Sequence, residues 1–405
     1  MVIAGGGIGG GAIDGVVNLY VIDDATRMPI SGANVRVGTL TGTTDATGLF
    51  VANGLSGKQD VVVTSSGYRS EYWIGANGAN MTVDLQKGNP TIAQATLSGA
   101  ITGFANLTVA QGHAKVGLVT YSQDDLLPDA ANNLQTPNSG NVCIVSTANT
   151  GCNFTLTARA GTIGLIGLVY DYDPHGTQTT ADDTETLIAY AVRTGVTVAD
   201  GSSASGQDLT LIPVGSLTTA TADFGTPPAG MTAALGLVGI ELGDGSGIFQ
   251  LPVTTGTMTT AQVPALSYFS GAQYRFTAIA QDAAMAPNNQ SIVLHKHLSS
   301  ATMTAGTWPA VPGSASVTRT TASWTNAAGA ALHGVEIDSG STAILSVTSF
   351  DGTSNVTFPA EVTIPSGSLT AKLQALVGNL DLMDLAIDRD RDKLTAVGVA
   401  NVVIN

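Results

Sequence analysis

The densest group of side chains that could bind a metal ion lies between residues 171 and 185. It contains five carboxylates and follows a run of apolar and β-branched residues typical of a buried strand. Carboxylate oxygens are the ligands that Ca²⁺ prefers, and loops at strand ends are where β-sandwich proteins commonly bind ligands. The pattern predicts either a calcium site or an acidic surface loop, with Asp171, Asp173, Asp182, Asp183 and Glu185 as the candidate ligands.

A second acidic pattern, Asp-Arg-Asp-Arg-Asp, places Asp388, Asp390 and Asp392 at alternate positions. This spacing is typical of calcium loops, which take oxygen ligands from alternate residues. An EF-hand loop has a glycine after the third aspartate, whereas Lys393 stands there. The interleaved arginines would also repel a cation, so the pattern favours a solvated turn with local ion pairs, and calcium is the alternative.

Two histidines, His295 and His297, would lie on one face of a strand and could begin a zinc site. Such a site needs a third ligand, and no Cys, His, Asp or Glu stands nearby in the sequence. His333 could approach only through contact between distant parts of the fold. We therefore interpret the pair as exposed polar positions.

The sequence contains no motif typical of nucleophilic catalysis, phosphate binding or glycoside hydrolysis. No Gly-x-Ser-x-Gly elbow stands at a strand-to-helix turn with His and Asp after it. The glycine run at residues 5–11 has no strand before it and no helix after it, as a phosphate-binding loop requires. Aromatic residues are 5% of the chain, too few to favour a glycosidase cleft. We expect a protein without enzymatic activity.

The two cysteines of the chain, Cys143 and Cys152, are close enough in sequence to form a disulfide. Thr150 and Gly151 predict a turn, and a hairpin would bring the two Cα atoms within the roughly 5.5 Å that a disulfide needs. A disulfide would indicate an oxidising compartment. The alternative is two unrelated buried thiols.

The composition describes the scaffold that must position these residues. The chain has 405 residues, enough for three or four domains, and only 11% of them are charged. Its net charge is −15, and its few Lys and Arg residues do not cluster, so nucleic-acid binding is excluded. No stretch of about 20 apolar residues could span a membrane. The many Val, Ile and Thr residues favour packed β-sheets.

Short β-rich runs separated by Gly, Asp and Pro predict consecutive sandwich domains. The clearest unit covers residues 14–86. Its runs are Val16-Val17-Asn18-Leu19-Tyr20-Val21, Asn34-Val35-Arg36-Val37 and Val61-Val62-Val63-Thr64, with turns at Pro29–Gly32 and Asp45–Gly48.

The order of residues in this unit resembles a known family. The segments Pro-Ile-Ser-Gly-Ala-Asn-Val-Arg-Val, Thr-Thr-Asp-Ala-Thr-Gly-Leu-Phe and Ser-Gly-Tyr follow each other as in the carboxypeptidase-regulatory-like domain, a transthyretin-like sandwich. The resemblance implies a small accessory β-module without catalysis of its own. Tyr68 would bury its ring at a corner of the sandwich.

Three further units are predicted. Residues 93–214 alternate apolar and polar residues in several runs and form a second sandwich, with one helix expected at Ser122–Gln135. Residues 215–306 form a third β-rich domain. Residues 307–405 resemble a fibronectin type III domain, an immunoglobulin-like sandwich, with Trp324 as its core residue, a helix at Val377–Ile387 and a final strand at 395–404.

Residues 1–13 hold the glycine run, with Ile8 as its main large side chain. The run is similar to the tether that follows the lipid-bearing cysteine of bacterial lipoproteins, although that cysteine is absent here. We expect the tether to lie outside the first core, because ordering glycine costs more entropy than ordering any other residue. If something holds it, the expected partner is a sheet edge of a neighbouring molecule.

These observations predict an all-β, non-enzymatic protein of the bacterial cell surface or exterior. It would serve as a structural or adhesion protein, with a protein or surface glycan as partner and with self-assembly as an option. The first alternative is a glycan- or peptide-binding protein that uses calcium, and the second is an accessory chain of a secreted hydrolase.

Overall fold

Strands dominate the chain because its β-branched residues alternate with polar ones at the period of a pleated sheet. In Cys152–Arg159, for example, buried and exposed side chains alternate along the strand. The computed structural model describes residues 2–88, 93–123, 140–145, 151–176, 180–212, 217–243, 246–251, 257–282, 289–304 and 306–404. Within these ranges the helical structure is confined to one four-residue α-helix and three 3-10 segments. The prediction of an all-β, multi-sandwich fold is confirmed.

The first 88 residues form eight strands. They are β1 (Gly7–Gly9), β2 (Asp14–Asp23), β3 (Asn34–Val37), β4 (Leu40–Thr43), β5 (Leu49–Ser56), β6 (Gln59–Thr64), β7 (Ser70–Ala76) and β8 (Asn80–Leu85). The next eight are β9 (Gln94–Thr102), β10 (Ala114–Gln123), β11 (Val142–Val145), β12 (Cys152–Arg159), β13 (Gly161–Asp173), β14 (Thr184–Val198), β15 (Ser203–Ala204) and β16 (Leu209–Ile212).

The second half of the chain continues in the same way. Its first strands are β17 (Leu217–Asp223), β18 (Met231–Glu241), β19 (Ile248–Leu251), β20 (Met258–Pro264), β21 (Gln273–Asp282), β22 (Gln290–Leu298) and β23 (Thr302–Thr304). The remaining strands are β24 (Gly313–Val317), β25 (Thr321–Thr325), β26 (Leu332–Ser339), β27 (Thr342–Ser349), β28 (Asn355–Thr357), β29 (Leu369–Gly378), β30 (Leu385–Ala386) and β31 (Leu394–Ile404). The helix α1 (Ile387–Asp390) precedes β31, and the 3-10 segments are Phe104–Asn106, Leu266–Tyr268 and Arg391–Lys393.

One twelve-stranded sheet runs through three of the predicted units. Its order is β19-β18-β21-β22-β31-β29-β26-β27-β7-β6-β3-β4. The strand β31 lies in its interior, antiparallel to β22 on one side and to β29 on the other. The pairing of β27 with β7 is parallel and joins residues 345–349 to residues 70–74. Distant parts of the sequence are therefore connected by backbone hydrogen bonds.

The remaining described strands form four smaller sheets. Their orders are β30-β1-β8-β2-β5, β11-β10-β13-β14-β16-β9-β12 with β15 beside β9, β20-β17-β23, and β24-β25-β28.

The described residues form four hydrophobic cores between these sheets, and some strands contribute to two cores at once. Trp73 of β7 packs into the first core, with Ile8, Met81 and Leu385. Its neighbours Tyr72 and Ile74 point to the opposite face and pack into the third core, which contains Trp324 as predicted. Strands covered on both faces are apolar at successive positions rather than at alternate ones.

The same arrangement recurs in the middle of the chain. In β13, Leu165 and Val169 pack into the second core, whereas Ile166 and Leu168 pack into the fourth. The fourth core also takes residues from the strands β17 to β21. Three of the four cores draw residues from more than one of the predicted ranges. The boundaries of those ranges, 14–86, 93–214, 215–306 and 307–405, stay predictions.

The glycine run is part of the first core. Its strand β1 lies between β8 and β30 and is antiparallel to both. Ile8 is fully buried there. The expectation that residues 1–13 form a tether outside the core is therefore wrong, and the two strands that hold the run belong to the same chain.

Two predicted helices have different outcomes. Val377–Ile387 is not a helix, because Val377 lies within β29. Leu380 and Leu382 follow in the connection to β30 and pack against the first core. In the range 122–135, Ser122 and Gln123 complete β10, and the rest lies outside the described residues. In the described part of the chain, no helix has the length and apolar character needed to cross a membrane.

Cys143 and Cys152 form the predicted disulfide, with their Cα atoms 5.7 Å apart. The predicted hairpin is wrong, because β11 pairs with β10 and β12 pairs with β9. These two strands are the opposite ends of the eight-stranded sheet. The disulfide therefore joins the two ends of a sheet that curls around the second core. Gly117 makes room for it, since a Cβ atom there would lie 2.7 Å from each sulfur.

Replacing both cysteines with serine is expected to lower the free energy of unfolding by about 2–3 kcal/mol, the range for a loop this short. The measurement is urea unfolding of the wild type and the Cys143→Ser/Cys152→Ser variant, each with and without reductant. Reductant should shift the wild-type midpoint to that of the variant and leave the variant unchanged. Free thiols in the denatured, unreduced wild type would contradict the disulfide itself.

Candidate functional site

The parallel seam between β7 and β27 carries a network of charged side chains around the buried Glu71. Arg69, just before β7, contacts Glu71 at 2.8 Å and Glu336 of β26 at 3.4 Å. Lys372 of β29 extends the network to Asp338 at 3.1 Å. Glu71 is only 5% exposed. The network thus ties strands from both ends of the chain together.

Burial sets the protonation of the central pair. Burial raises the pKa of Glu71, and the charge of Arg69 opposes this shift without cancelling it. Burial alone would lower the pKa of Arg69, but the charges of Glu71 and Glu336 raise it. The arginine therefore stays charged, and Glu71 depends on it to remain ionised.

An open groove of about 590 Å³ lies over the same seam, where the turn before β7 meets the start of β27. Hydroxyl and backbone groups dominate its walls, and its ionisable side chains are Tyr68 and Glu361. The residues that line it are Asn34, Thr64, Ser65, Ser66, Gly67, Tyr68, Ser70, Gly88, Thr342, Ala343, Ile344, Glu361 and Thr363.

The two larger polar side chains of the groove are held in place by neighbours. The Tyr68 hydroxyl donates a hydrogen bond to Asp23 Oδ2 at 2.8 Å, and Arg36 Nε donates to Glu361 Oε1 at 2.7 Å. Burial and the bond to Asp23 raise the pKa of Tyr68, so its hydroxyl is neutral at physiological pH. The groove can offer hydrogen bonds and one ring edge to a polar ligand.

The acidic loop predicted as a calcium site is partly organised by histidines. His113 Nδ1 lies 2.8 Å from Asp171 Oδ1, and His113 Nε2 lies 3.4 Å from Asp173 Oδ2. His175 Nε2 lies 3.6 Å from the same Asp173 oxygen. Asp183 accepts a hydrogen bond from the Tyr172 hydroxyl, whereas Asp182 and Glu185 are exposed. His113 thus joins Asp171 and Asp173, whereas Asp183 is bonded to a different side chain.

The Asp-x-Asp-x-Asp segment forms ion pairs with three different parts of the molecule. Asp388 contacts Arg27 at 3.2 Å, and Asp392 contacts Lys296 at 3.2 Å. Asp390 is fully buried, and its two oxygens bind Arg389, Lys393 and the Ala386 amide. These hydrogen bonds, with Arg389 the strongest, lower the pKa of Asp390. The sequence favoured a solvated turn with local ion pairs, but only Asp390 pairs within the segment, and it is buried.

The three histidines considered for zinc are separated. The His297 ring lies between Glu241 at 2.9 Å and Asp392 at 2.6 Å. His295 Nε2 is buried without a hydrogen bond, and burial lowers the pKa of His295. His333 Nε2 accepts a hydrogen bond from the Ala327 amide at 3.1 Å in the interior.

Across the described ranges, no three His, Cys, Asp or Glu side chains are arranged to hold a metal ion. Calcium binding by the two acidic segments therefore stays a prediction.

Sequence reasoning missed the groove and the charge network. The turn at residues 65–68 was predicted only as a corner of the first sandwich. A signal for the network was present, because Arg69 and Glu71 directly precede the apolar run Tyr72-Trp73-Ile74. The residues that complete both features come from beyond position 330 and have no local signature.

No protein-family profile matches the chain. No curated protein matches it either. Among solved structures, the shaft pilin SpaA from Lactobacillus rhamnosus GG is 13% identical, over 50% of this chain and 98% of that chain, with a TM-score of 0.15. The major pilin subunit BcpA of Bacillus cereus is 11% identical, over 73% and 99%, with a TM-score of 0.17.

A Ca²⁺-stabilised adhesin with which an Antarctic bacterium binds ice is 12% identical, over 97% of this chain and 98% of that chain, with a TM-score of 0.13. At TM-scores this low, the three structures carry no argument about what this protein does.

Proposed function

We propose that this protein is a non-enzymatic structural or adhesion protein of the cell surface or exterior, built as one stiff body. The observation that carries the proposal is the twelve-stranded sheet, which passes through residues 34–76, 231–298 and 332–404. Modules joined by flexible linkers move relative to each other by default. Modules that share a hydrogen-bonded sheet transmit load through backbone bonds instead.

The positions of the first and last strands support the same function. The strand β1 lies between β8 and β30. The strand β31 lies between β22 and β29, and its pairing with β29 covers ten positions. A pull on β31 is therefore met by hydrogen-bonded strands on both sides. The disulfide between Cys143 and Cys152 adds a covalent closure to the second core.

Mechanical unfolding of single molecules held at both ends tests the stiff-body proposal. We expect rupture of the shared sheet in one dominant event, because β31 cannot leave without separating β22 from β29. Four independent events of similar force would contradict the proposal. Antibody labelling of intact cells tests the location, and labelling only after lysis would rule out a surface function.

The groove at Tyr68 favours a second candidate function, binding of a polar chain such as a glycan or an extended peptide. Its hydroxyl-rich walls and fixed aromatic side chain match the chemistry of such ligands. Ser66 is exposed on its rim.

The variant Ser66→Trp should fill the groove and lower retention on a glycan or peptide array about tenfold or more, because the side chain would take the volume of the ligand. The matched control is Ser205→Trp, at an exposed position outside the groove. Equal retention by both variants would eliminate the groove as the binding site. A parallel array with EDTA tests the calcium prediction.

A further inference from the structure

The strand β1 is held in the first core by very few interactions. Ile8 is its one large side chain, and it packs against Met81 and Leu385. The other two residues of the strand are Gly7 and Gly9. Backbone hydrogen bonds to β8 and β30 provide the rest of its attachment.

The entropy of glycine opposes this attachment. Six of the seven residues from 5 to 11 are glycine, and glycine loses more conformational freedom on ordering than any other residue. Segments with few buried apolar contacts belong to the parts of a protein that open first. Among the interior strands of its sheet, β1 has the fewest large buried side chains to hold it.

The slot that holds β1 has a specific shape. A Cβ atom at Gly7 would lie 1.9 Å from the Leu385 carbonyl oxygen, and its φ of +141° disfavours other residues. A Cβ atom at Gly78 would lie 2.3 Å from the Ile8 side chain. The slot thus accepts a strand of glycines with a single branched side chain, and it is closely fitted to this chain's own segment.

The connection to the next strand contains a hinge. Only residues 10–13 separate β1 from β2, and β2 lies on the far side of β8, parallel to it. Gly10 and Gly11 both have positive φ there, so the backbone reverses at two glycines. A change at these residues would direct β1 away from its own molecule, which is the usual geometry of a domain swap.

We propose that the slot between β8 and β30 is an assembly site, in which β1 of a second copy of this chain replaces the resident strand. This inference rests on the proposed function as a surface structural protein, and it names the segment through which copies would join. Reciprocal exchange closes a dimer, and one-way exchange builds an open chain.

Concentration decides between the two states. The short connection favours the resident strand in dilute solution, because it keeps β1 at a high effective concentration beside its own slot. Crowding of copies on a surface favours exchange. The two arrangements share the same strand pairs, so the balance between them depends on the hinge and on protein concentration.

Cysteine cross-linking of full-length chains tests the exchange. Ile8 and Met81 are direct partners in register, and such pairs lie within the Cα separation that a disulfide spans. The native cysteines are bonded to each other, so Ile8→Cys and Met81→Cys each add the only free thiol. The two single variants are mixed at high concentration, oxidised, and digested for mass spectrometry.

We expect an interchain bond between positions 8 and 81 at about ten times the level obtained when Ile8→Cys is mixed with Met258→Cys, a 60% exposed control. Adding Gly7→Ala to the Ile8→Cys chain should abolish the excess, because the strand no longer fits the slot. The double variant Ile8→Cys/Met81→Cys should close within one chain and remain monomeric.

If the double variant closes normally but the mixed single variants cross-link no more than the control, the exchange is refuted. That result leaves the stiff-body function untouched, since mechanical unfolding tests it separately. Conversely, an excess of cross-links together with four independent unfolding events would keep the exchange and remove the proposed function.

Discussion

Replacing Arg69 with leucine is expected to lower the free energy of unfolding by about 3–5 kcal/mol, the usual cost of leaving a buried charge without its partner. Glu71 is 5% exposed and takes its closest ion pair from Arg69, at 2.8 Å. Burial already raises the pKa of Glu71. Without Arg69, the Glu71 carboxyl in the variant therefore takes up a proton more readily at low pH. The cost should therefore be smaller at pH 5 than at pH 8.

The matched control is Arg36→Leu, which breaks an ion pair of similar length. Arg36 lies 2.7 Å from Glu361, whose side chain is 39% exposed, so its loss should cost no more than about 1 kcal/mol. The double variant Arg69→Leu/Glu71→Gln should recover part of the stability, because no charge is left buried. Equal urea midpoints for Arg69→Leu and Arg36→Leu would show that the network does not stabilise the seam.

Replacing Asp84 with asparagine is expected to stabilise the protein at pH 8 and to have little effect at pH 4. Burial, followed by the charges of Glu71 and Asp24, raises the pKa of Asp84 from 3.8 to about 7. The folded state then holds a proton that the unfolded state releases between these two values. Stability falls as the pH rises from about 4 to 7 and stays low above 7.

At about 1.4 kcal/mol per pKa unit, this carboxyl costs up to about 4 kcal/mol when it is ionised in the folded state. The amide of the Asp84→Asn variant would carry no such charge, so the melting temperatures of variant and wild type should separate as the pH rises. The control is Asp14→Asn, at an exposed position of the same sheet. The melting temperature of the wild type should fall further below that of the Asp84→Asn variant as the pH rises from 4 to 8. A constant difference between the two would contradict a raised pKa for Asp84.

Local patterns in the sequence were enough to locate many strands and the disulfide. The predicted run Asn34–Val37 has the same bounds as β3, and one of the alternating runs in residues 93–214 coincides with β12. These strands have one buried face, so their period of two is visible in the residues. The cysteine pair was found because nine positions along the chain separate its members.

The strand partners could not be predicted, because the period of a strand does not encode which distant strand it pairs with. β7 is buried on both faces, and its apolar run Tyr72-Trp73-Ile74 shows no alternation. Its parallel partner begins at Thr342. The groove and the Arg69 network depend on this pairing, so neither could be assembled from the sequence alone.

The helix predicted at Val377–Ile387 failed for a related reason. Leu380, Leu382 and Leu385 all pack against the first core, and this contact holds the segment in an extended connection. A Cβ atom at Gly378 would lie 2.5 Å from the Lys393 carbonyl oxygen, so the chain there is closely paired with β31 rather than coiled. Long-range contact overrides local periodicity at this point.

The interior position of β31 also fixes the order in which the molecule can mature during synthesis. Neither β22 nor β29 has its shared partner until residues 394–404 have left the ribosome. The first core likewise waits for Leu332, Phe350 and Leu385. Folding that starts at the amino terminus and finishes one domain at a time is not open to the first core, and contacts this far apart in sequence form slowly. The first and third cores therefore stay incomplete until the last strands have been made, whereas the second core, with buried residues between positions 95 and 209, can close much earlier.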